Sequence, residues 1–501
     1  MKLIFLAAAC LLQVAKGQSL DSLRAAVEAQ PDSLSAHQRY IQAFQKSVPG
    51  ITWKNADSVT ALLEPQYNAW MARFPQSATV PFALGDAYGE SPRARPFLQR
   101  AVALDPKLAA AWADLSLDAE RLGDFPGSQA FLKKAMDADT SNLEYRFSYI
   151  YSFRGTDPAR YRQMSLDFVH AYPNSEQSTM DLYWLANYLP DDKDKTAIYD
   201  QLRKNYSPDK YAWTGYAMDE YFDLLIGTDP QQAVGIAEWM TGLKLEEDDA
   251  KAWTKKLAIA RQVVKSRALL DAQKPYDAAL ILSTVNLERR TGVGATETVY
   301  LLKARALDAG GNTPAAFDSL LKLFAKTPSD RTRNGMMQYA AKLGKDSAWV
   351  ASNVNRLRDS TSQIAPVFTL PPYLTHDPIS LADYRGKVVL LTFWFPGCGP
   401  CRGEFPHFQT VLGKFRDANI VYLGINVDRS QDAYVLSFVR SSGYGFTPLQ
   451  DTNGWAQQAY HVRGEPSNYL IDRQGRIVYS GFMIQDAREE RMLELMIHSL
   501  L

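Results

Sequence analysis

The sequence predicts a multidomain protein: an all-α helical-repeat region over residues 18–360, then an α/β domain over residues 361–501. Three features support that division. At 501 residues the chain is too long for a single hydrophobic core. From about residue 20 to 355, strand-like alternation is scarce, and Gly, Pro and Asp punctuate helical stretches. Beyond about residue 362 continuous apolar runs alternate with amphipathic segments, the pattern of strands and helices in an α/β layer structure. Lys plus Arg and Asp plus Glu both total 55, so no basic bias points to nucleic acid and no acidic tail points to a disordered solubiliser.

At the N-terminus, Lys2 precedes the apolar stretch Leu3 to Leu12, and Ala15-Lys16-Gly17 ends it with small-x-small spacing. This is the pattern of a secretory signal peptide, residues 1–17, cleaved after Gly17. The apolar stretch is about half the ~20 residues that a spanning helix needs, and no later stretch is long and apolar enough to cross a membrane. The expected location is the cell envelope, with the periplasm as its compartment, and no transmembrane segment after cleavage. Lipidation of Cys10 fits less well, because Ala7 rather than Leu stands three residues before it. Once the signal is removed, Cys398 and Cys401 are the only cysteines.

The helical region repeats in part. Asp105-Pro106 is echoed 34 residues on by Asp139-Thr140, with Trp112, Leu115, Gly123, Leu132 and Ala135 between them. An early aromatic on the first helix, Gly at the turn and small residues where the second helix packs resemble a tetratricopeptide repeat. Leu84-Gly85, Tyr88, Ala94, Leu98 and Ala101 form a slightly shorter unit before it. Tyr300, Ala304, Gly311, Ala316, Leu320 and Pro328 form a further one. Between about 145 and 295 the pattern is helical but degenerate. Stacked helix pairs present a curved surface suited to binding proteins. No catalytic constellation occurs there, and His37 and His170 are isolated.

In the α/β region, KVVLLTFWF (387–395) reads as a strand buried on both faces. A helix is expected over 401–417, a second strand over 420–427 and an amphipathic segment over 431–440. NYLID and RIVYS flank Arg473-Gln474-Gly475, a hairpin signature. The chain ends in a helix with Asp486 and Glu489 at capping-box spacing and Met492, Leu493, Met496, Ile497 and Leu500 on one side.

The stretch FWFPGCGPCRGEFP (393–406) carries the chemistry. A structural zinc site needs four ligands, and a single Cys-x-x-Cys pair does not supply them; His407 and His461 are not at finger spacing. As a structural staple the pair would close too short a loop to matter. A redox centre explains more residues. Cys398 falls where a helix follows a buried strand, so unpaired amides and the helix dipole favour its thiolate. Pro400 suits the first helical turn. Cys401, inside that turn, is the more sheltered sulfur, placed to attack Cys398 from behind.

APVFTLPPYL and ISLADYRGKVVLLTFWFPGCGPCRGEFP, followed by VYLGINVD and VRGEPSNYLIDRQGRIVYSG, resemble the TlpA/ResA-type thiol–disulfide oxidoreductases of the thioredoxin superfamily. The resemblance covers about a quarter of the chain. It implies a thioredoxin-like fold, with Cys398 as the attacking cysteine and Cys401 as the resolving one. It also implies that Glu404 is the acidic residue assisting proton transfer, and that Pro466 is the cis-proline facing the dithiol. Thr392 stands where thioredoxin carries a buried acid, so Glu404 is the better proton relay. Thr392, Asp428 and His461 are assigned no role. There are departures: Gly397 occupies the position where the family usually has Trp, Ser467-Asn468 replace a threonine pair, and Glu465 adds a charge before the proline.

The expected function is reduction of protein disulfides, with an upstream dithiol donor restoring the Cys398–Cys401 pair and the helical region recruiting partners. No cofactor or metal is expected beyond that redox-active disulfide. The Gly-Pro dipeptide is shared with thioredoxin, whose potential is about −270 mV, and this favours a reductant. The alternative is an interaction scaffold whose C-terminal domain is a redox-sensing or inactive appendix. Peroxidase chemistry fits less well, since Pro396-Gly397 precede the pair where peroxiredoxin-type sites carry Thr.

Overall fold

The computed structural model describes residues 19–52, 55–288 and 291–501. The signal segment 1–17 and Cys10 lie outside the described residues. The chain forms a mostly helical N-terminal region and a C-terminal thioredoxin-like α/β domain with a six-stranded sheet. Among the described residues, no helix is long and apolar enough to cross a membrane. The chain packs as two compact units, each assembled from separate stretches of sequence.

The first unit contains the described residues up to Tyr149, together with Phe395–Gly397 and Asn426–Gly443. Its core gathers Tyr67, Trp70, Leu84, Leu98 and Leu115 from successive helices. The predicted pair around Gly123 is present as helices Ala109–Arg121 and Phe125–Ala138. Gly123 turns the chain between them at φ +74°, and a side chain there would come within 2.8 Å of the Phe438 carbonyl. Asp124 caps the second helix by accepting from the Gly127 amide at 2.9 Å. The buried Asp118 carboxylate accepts from Arg95 Nε at 2.5 Å and from the Tyr434 hydroxyl at 2.6 Å. Tyr434 and Phe438 lie on the helix Asp432–Ser442, and the Phe438 ring meets Phe125 edge-on at 6.5 Å. Burying each of these two aromatic side chains stabilises the unit by ~1.5–3 kcal/mol.

The second unit contains Ile150–Trp394, Cys398–Ile425 and Tyr444–Leu501. Its helices pack in sequence order, and the small and apolar positions read as a repeat near 300 are core residues: Ala304, Ala316 and Leu320 are fully buried. After helix Ser347–Thr361 come the strands β1 (Gln363–Ile364), β2 (Thr369–Leu370), β3 (Ile379–Ser380), β4 (Val388–Trp394), β5 (Ile420–Asn426), β6 (Thr447–Gln450), β7 (Ser467–Ile471) and β8 (Arg476–Phe482). The main sheet has the order β1-β8-β7-β4-β5-β6, and β2 and β3 form a separate two-stranded ribbon.

Every residue of β4 is buried, as its unbroken apolar run requires. β4 pairs antiparallel with β7, so that Thr392 faces Asn468 and Phe393 faces Ser467. At the β7–β8 turn, Asp472 Oδ1 accepts from the amides of Gln474 and Arg476 at 3.0 and 2.8 Å. The terminal helix Ala487–His498 begins with Asp486 accepting from the Glu489 amide at 2.8 Å. Glu489 reaches back to the amide of Gln485 rather than that of the capping residue, at 2.6 Å. Leu493, Met496 and Ile497 face inward from this helix, which packs on helix Gly399–Gly413.

Candidate active site

β4 delivers the chain through Phe395, Pro396 and Gly397 to Cys398, the N-cap of helix Gly399–Gly413. The helix starts directly after Cys398, as the context of the cysteine pair predicts, and ends at Gly413 rather than at 417. Cys398 Sγ accepts from the Cys401 amide at 3.2 Å. An amide donor and the positive end of a helix both favour negative charge on that sulfur. Cys398 and Cys401 are joined by a disulfide, with their Cα atoms 5.3 Å apart. Cys398 keeps 4% of its surface exposed and Cys401 none. In the disulfide form the two sulfurs thus differ less in exposure than the division into open nucleophile and sheltered resolver implies. The accessible edge still belongs to Cys398.

Glu404 follows Cys401 by three residues on the same helix, so both lie on one face. It is fully buried. Its carboxyl accepts from the Ile484 amide at 2.7 Å and from Asn468 Nδ2, at 3.1 Å to Oε1 and 2.9 Å to Oε2. Asn468 Nδ2 also meets the Phe482 carbonyl at 3.1 Å, and its Oδ1 accepts from the Thr392 hydroxyl at 2.8 Å. Burial pushes the Glu404 carboxyl up to about 8; the donors Asn468 and Ile484 oppose that rise, and Glu489 adds a little repulsion. Burial thus brings the Glu404 carboxyl into the range where it can take up and give up a proton near neutral pH.

Trp394, Phe405 and Phe446 pack together in the same unit, with ring centroids 5.0–5.3 Å apart. This aromatic cluster buries the Phe405 side of the helix. The Glu465–Pro466 peptide is cis. Pro466 immediately precedes β7, and the pairing of Phe393 with Ser467 sets it beside the end of β4 from which the chain runs to Cys398.

Asn468, read from the sequence only as a departure beside the proline, donates directly to Glu404, and Thr392, to which the sequence reading assigns no role, holds Asn468 in turn. For Thr392 a legible signal existed: it is the one polar residue of β4, and buried polar side chains need partners. His461 sits in the left-handed backbone region at φ +54°, and Asp428 caps the short turn that follows it by accepting from the Ser430 amide at 3.0 Å. His407 pairs with Glu490 at 2.7 Å.

The AhpC/TSA family model matches residues 361–480. Thiol-disulfide oxidoreductase ResA of Bacillus subtilis (strain 168) is 35% identical over 100 residues, which are 20% of this chain and 55% of that protein. ResA of Geobacillus kaustophilus (strain HTA426) is 30% identical over 130 residues, 26% of this chain and 74% of that protein. Among solved structures, a thiol:disulfide interchange protein from Bacteroides sp. shares 27% identity, covering 27% of this chain and 90% of its own, with a TM-score of 0.24. The chain spans about half the length of the curated relatives that head the match. Since the similarity to the Geobacillus protein extends over most of its length, the chain belongs, through its C-terminal domain, to the ResA-like thiol-disulfide oxidoreductases.

Proposed function

We propose that this protein reduces protein disulfides in the cell envelope, with Cys398–Cys401 as a two-electron carrier. In the same proposal, residues 18–360, a tetratricopeptide-like array, bring the protein partner to residues 361–501. The observation that carries it is the cysteine pair at a helix start, with a buried carboxyl one turn behind it on the same helix face.

The cycle starts from the dithiol. The Cys398 thiolate attacks one sulfur of a substrate disulfide; that S–S bond breaks, a mixed disulfide forms, and the first substrate thiolate leaves and takes up a proton. Glu404, as carboxylate, then accepts the proton of the Cys401 thiol. The Cys401 thiolate attacks Cys398 Sγ, breaks the mixed disulfide and releases the second substrate thiolate. Two electrons have passed to the substrate, and the pair ends as the disulfide. The rise of Glu404 to about 8 in that form supports this sequence, because the oxidised protein stores the proton that resolution delivers. An external dithiol donor returns the two electrons, and Glu404 returns its proton to Cys401. Pro466, at the mouth of β7, borders the site where a substrate strand would lie.

Insulin reduction driven by a chemical dithiol tests the proposal. The wild-type protein is expected to turn over, and Cys398→Ala to fall to the uncatalysed rate. Equal rates for the two would favour the scaffold alternative.

A further inference from the structure

Gly397, the residue before Cys398, is held by a chain of polar contacts that reaches into the N-terminal helices of the first unit. Its amide donates to Gln431 Oε1 at 2.6 Å. The Gln431 side chain is almost wholly buried, and its Nε2 donates to Glu90 Oε2 at 2.6 Å and to Asp428 Oδ2 at 3.3 Å. Glu90 in turn pairs with Arg121 at 3.3 Å. A backbone N–H can only donate, so Gln431 must present its oxygen to Gly397 and its NH2 to an acceptor. The Glu90 carboxylate is the nearer of its two acceptors, and it fixes which way the Gln431 amide points.

The space around Gly397 is filled by the same groups. A Cβ at position 397 would lie 2.8 Å from both amide atoms of Gln431 and 3.0 Å from Glu90 Oε2. Any side chain there would force the Gln431 amide to shift from this position. A tryptophan, the residue that the family resemblance leads one to expect, cannot coexist with Glu90 and Gln431 in these positions. The departure at Gly397 and the intrusion of Glu90 are therefore one feature of the chain.

We propose that Glu90 is a positioning residue for the dithiol: through Gln431 it fixes the Gly397 peptide and with it the orientation of Cys398. This rests on the reading of Cys398 as the nucleophile. It makes a residue of the helical region, 341 positions from Gln431, part of the support of the redox centre. Supporting contacts of this kind hold a reacting group within a fraction of an ångström, and their loss is felt in rate more than in stability.

Alkylation of Cys398 in the reduced protein at pH 7, followed by peptide mass spectrometry, tests the proposal without any protein substrate. Glu90→Ala is expected to slow Cys398 alkylation roughly three- to tenfold, the scale of one lost hydrogen bond to a charged group partly transmitted to its neighbour. Glu90→Gln keeps an acceptor oxygen for Gln431 and loses only the ion pair with Arg121, so it should retain a rate within twofold of wild type. Glu90→Ala combined with Gln431→Ala should be no slower than Gln431→Ala alone, as expected of residues acting in one chain. If Glu90→Ala does not fold by circular dichroism, Gly397→Ala breaks the same chain from its other end and should show the same slowing. A wild-type rate in Glu90→Ala, equal slowing in Glu90→Gln, or additive effects in the double variant would overturn the proposal. Absence of Cys398-dependent insulin reduction by the wild type would instead overturn the functional reading, leaving the alkylation result to stand or fall by itself.

Discussion

Glu404→Gln is expected to slow resolution of the mixed disulfide at pH 7 by roughly 10²-fold, the low end of what a positioned acid–base group contributes. Glutamine preserves the size of the side chain and an acceptor for the Ile484 amide, but it cannot take the Cys401 proton. Turnover of the variant should then depend on hydroxide and recover as pH rises toward the ordinary thiol range. Stopped-flow release of a labelled substrate from the mixed disulfide measures this, and rates equal to wild type from pH 6 to 9 would remove Glu404 from the chemistry. The same substitution has a stability signature. The carboxyl rises from 4.5 to about 8 on folding. The folded oxidised protein therefore keeps a proton that the unfolded chain has lost. That contribution is fully present below about pH 4.5 and declines as pH rises through about 8, by roughly 3–5 kcal/mol in all. Glu404→Gln, neutral throughout, should lack this declining limb and be more stable than wild type at pH 9. Urea midpoints of the two oxidised proteins, compared at each pH, isolate the difference from other buried acids such as Asp181, which burial pushes up to about 7.

Cys401→Ser is expected to lower multiple-turnover reduction by about three orders of magnitude while sparing the first chemical step. Cys398 can still attack a substrate disulfide, but nothing behind it can release the product, so a mixed disulfide accumulates. Non-reducing electrophoresis should show a stable adduct for Cys401→Ser, none for Cys398→Ala, and little for wild type. An adduct carried by another residue would mean that the sulfur roles are wrongly assigned. Applied to a cell extract, the same variant would show which proteins carry the disulfides that Cys398 attacks.

Much of the C-terminal domain was legible because its signals are local. The unbroken apolar run of β4 needs both faces covered, the turn after Asp472 follows from Asp and Gly spacing, and Asp486 caps the helix that its own spacing to Glu489 announces. The position of Cys398 at a helix start was legible for the same reason. What could not be read depends on which distant residues meet. Thr392 and Asn468 are 76 positions apart, and only the register of β4 against β7 makes them partners and hands Glu404 its donor. Tyr434 and Asp118 are 316 positions apart. A single cut near residue 360 separates them, yet they share a buried hydrogen bond, because the helix Asp432–Ser442 offers an apolar face that the turn at Gly123 is shaped to receive. Gln431 reads as an ordinary polar residue of an amphipathic segment until Glu90 is found beside it.

The central claim is that two electrons leave the cysteine pair for a protein disulfide. A single-turnover measurement tests it most directly: the fully reduced protein is mixed with excess disulfide substrate, no donor is added, and thiols on both proteins are counted by mass after acid quench. The expected result is one substrate disulfide opened for each Cys398–Cys401 disulfide formed, with no other residue altered. Substrate left oxidised while both cysteines remain thiols would contradict the account.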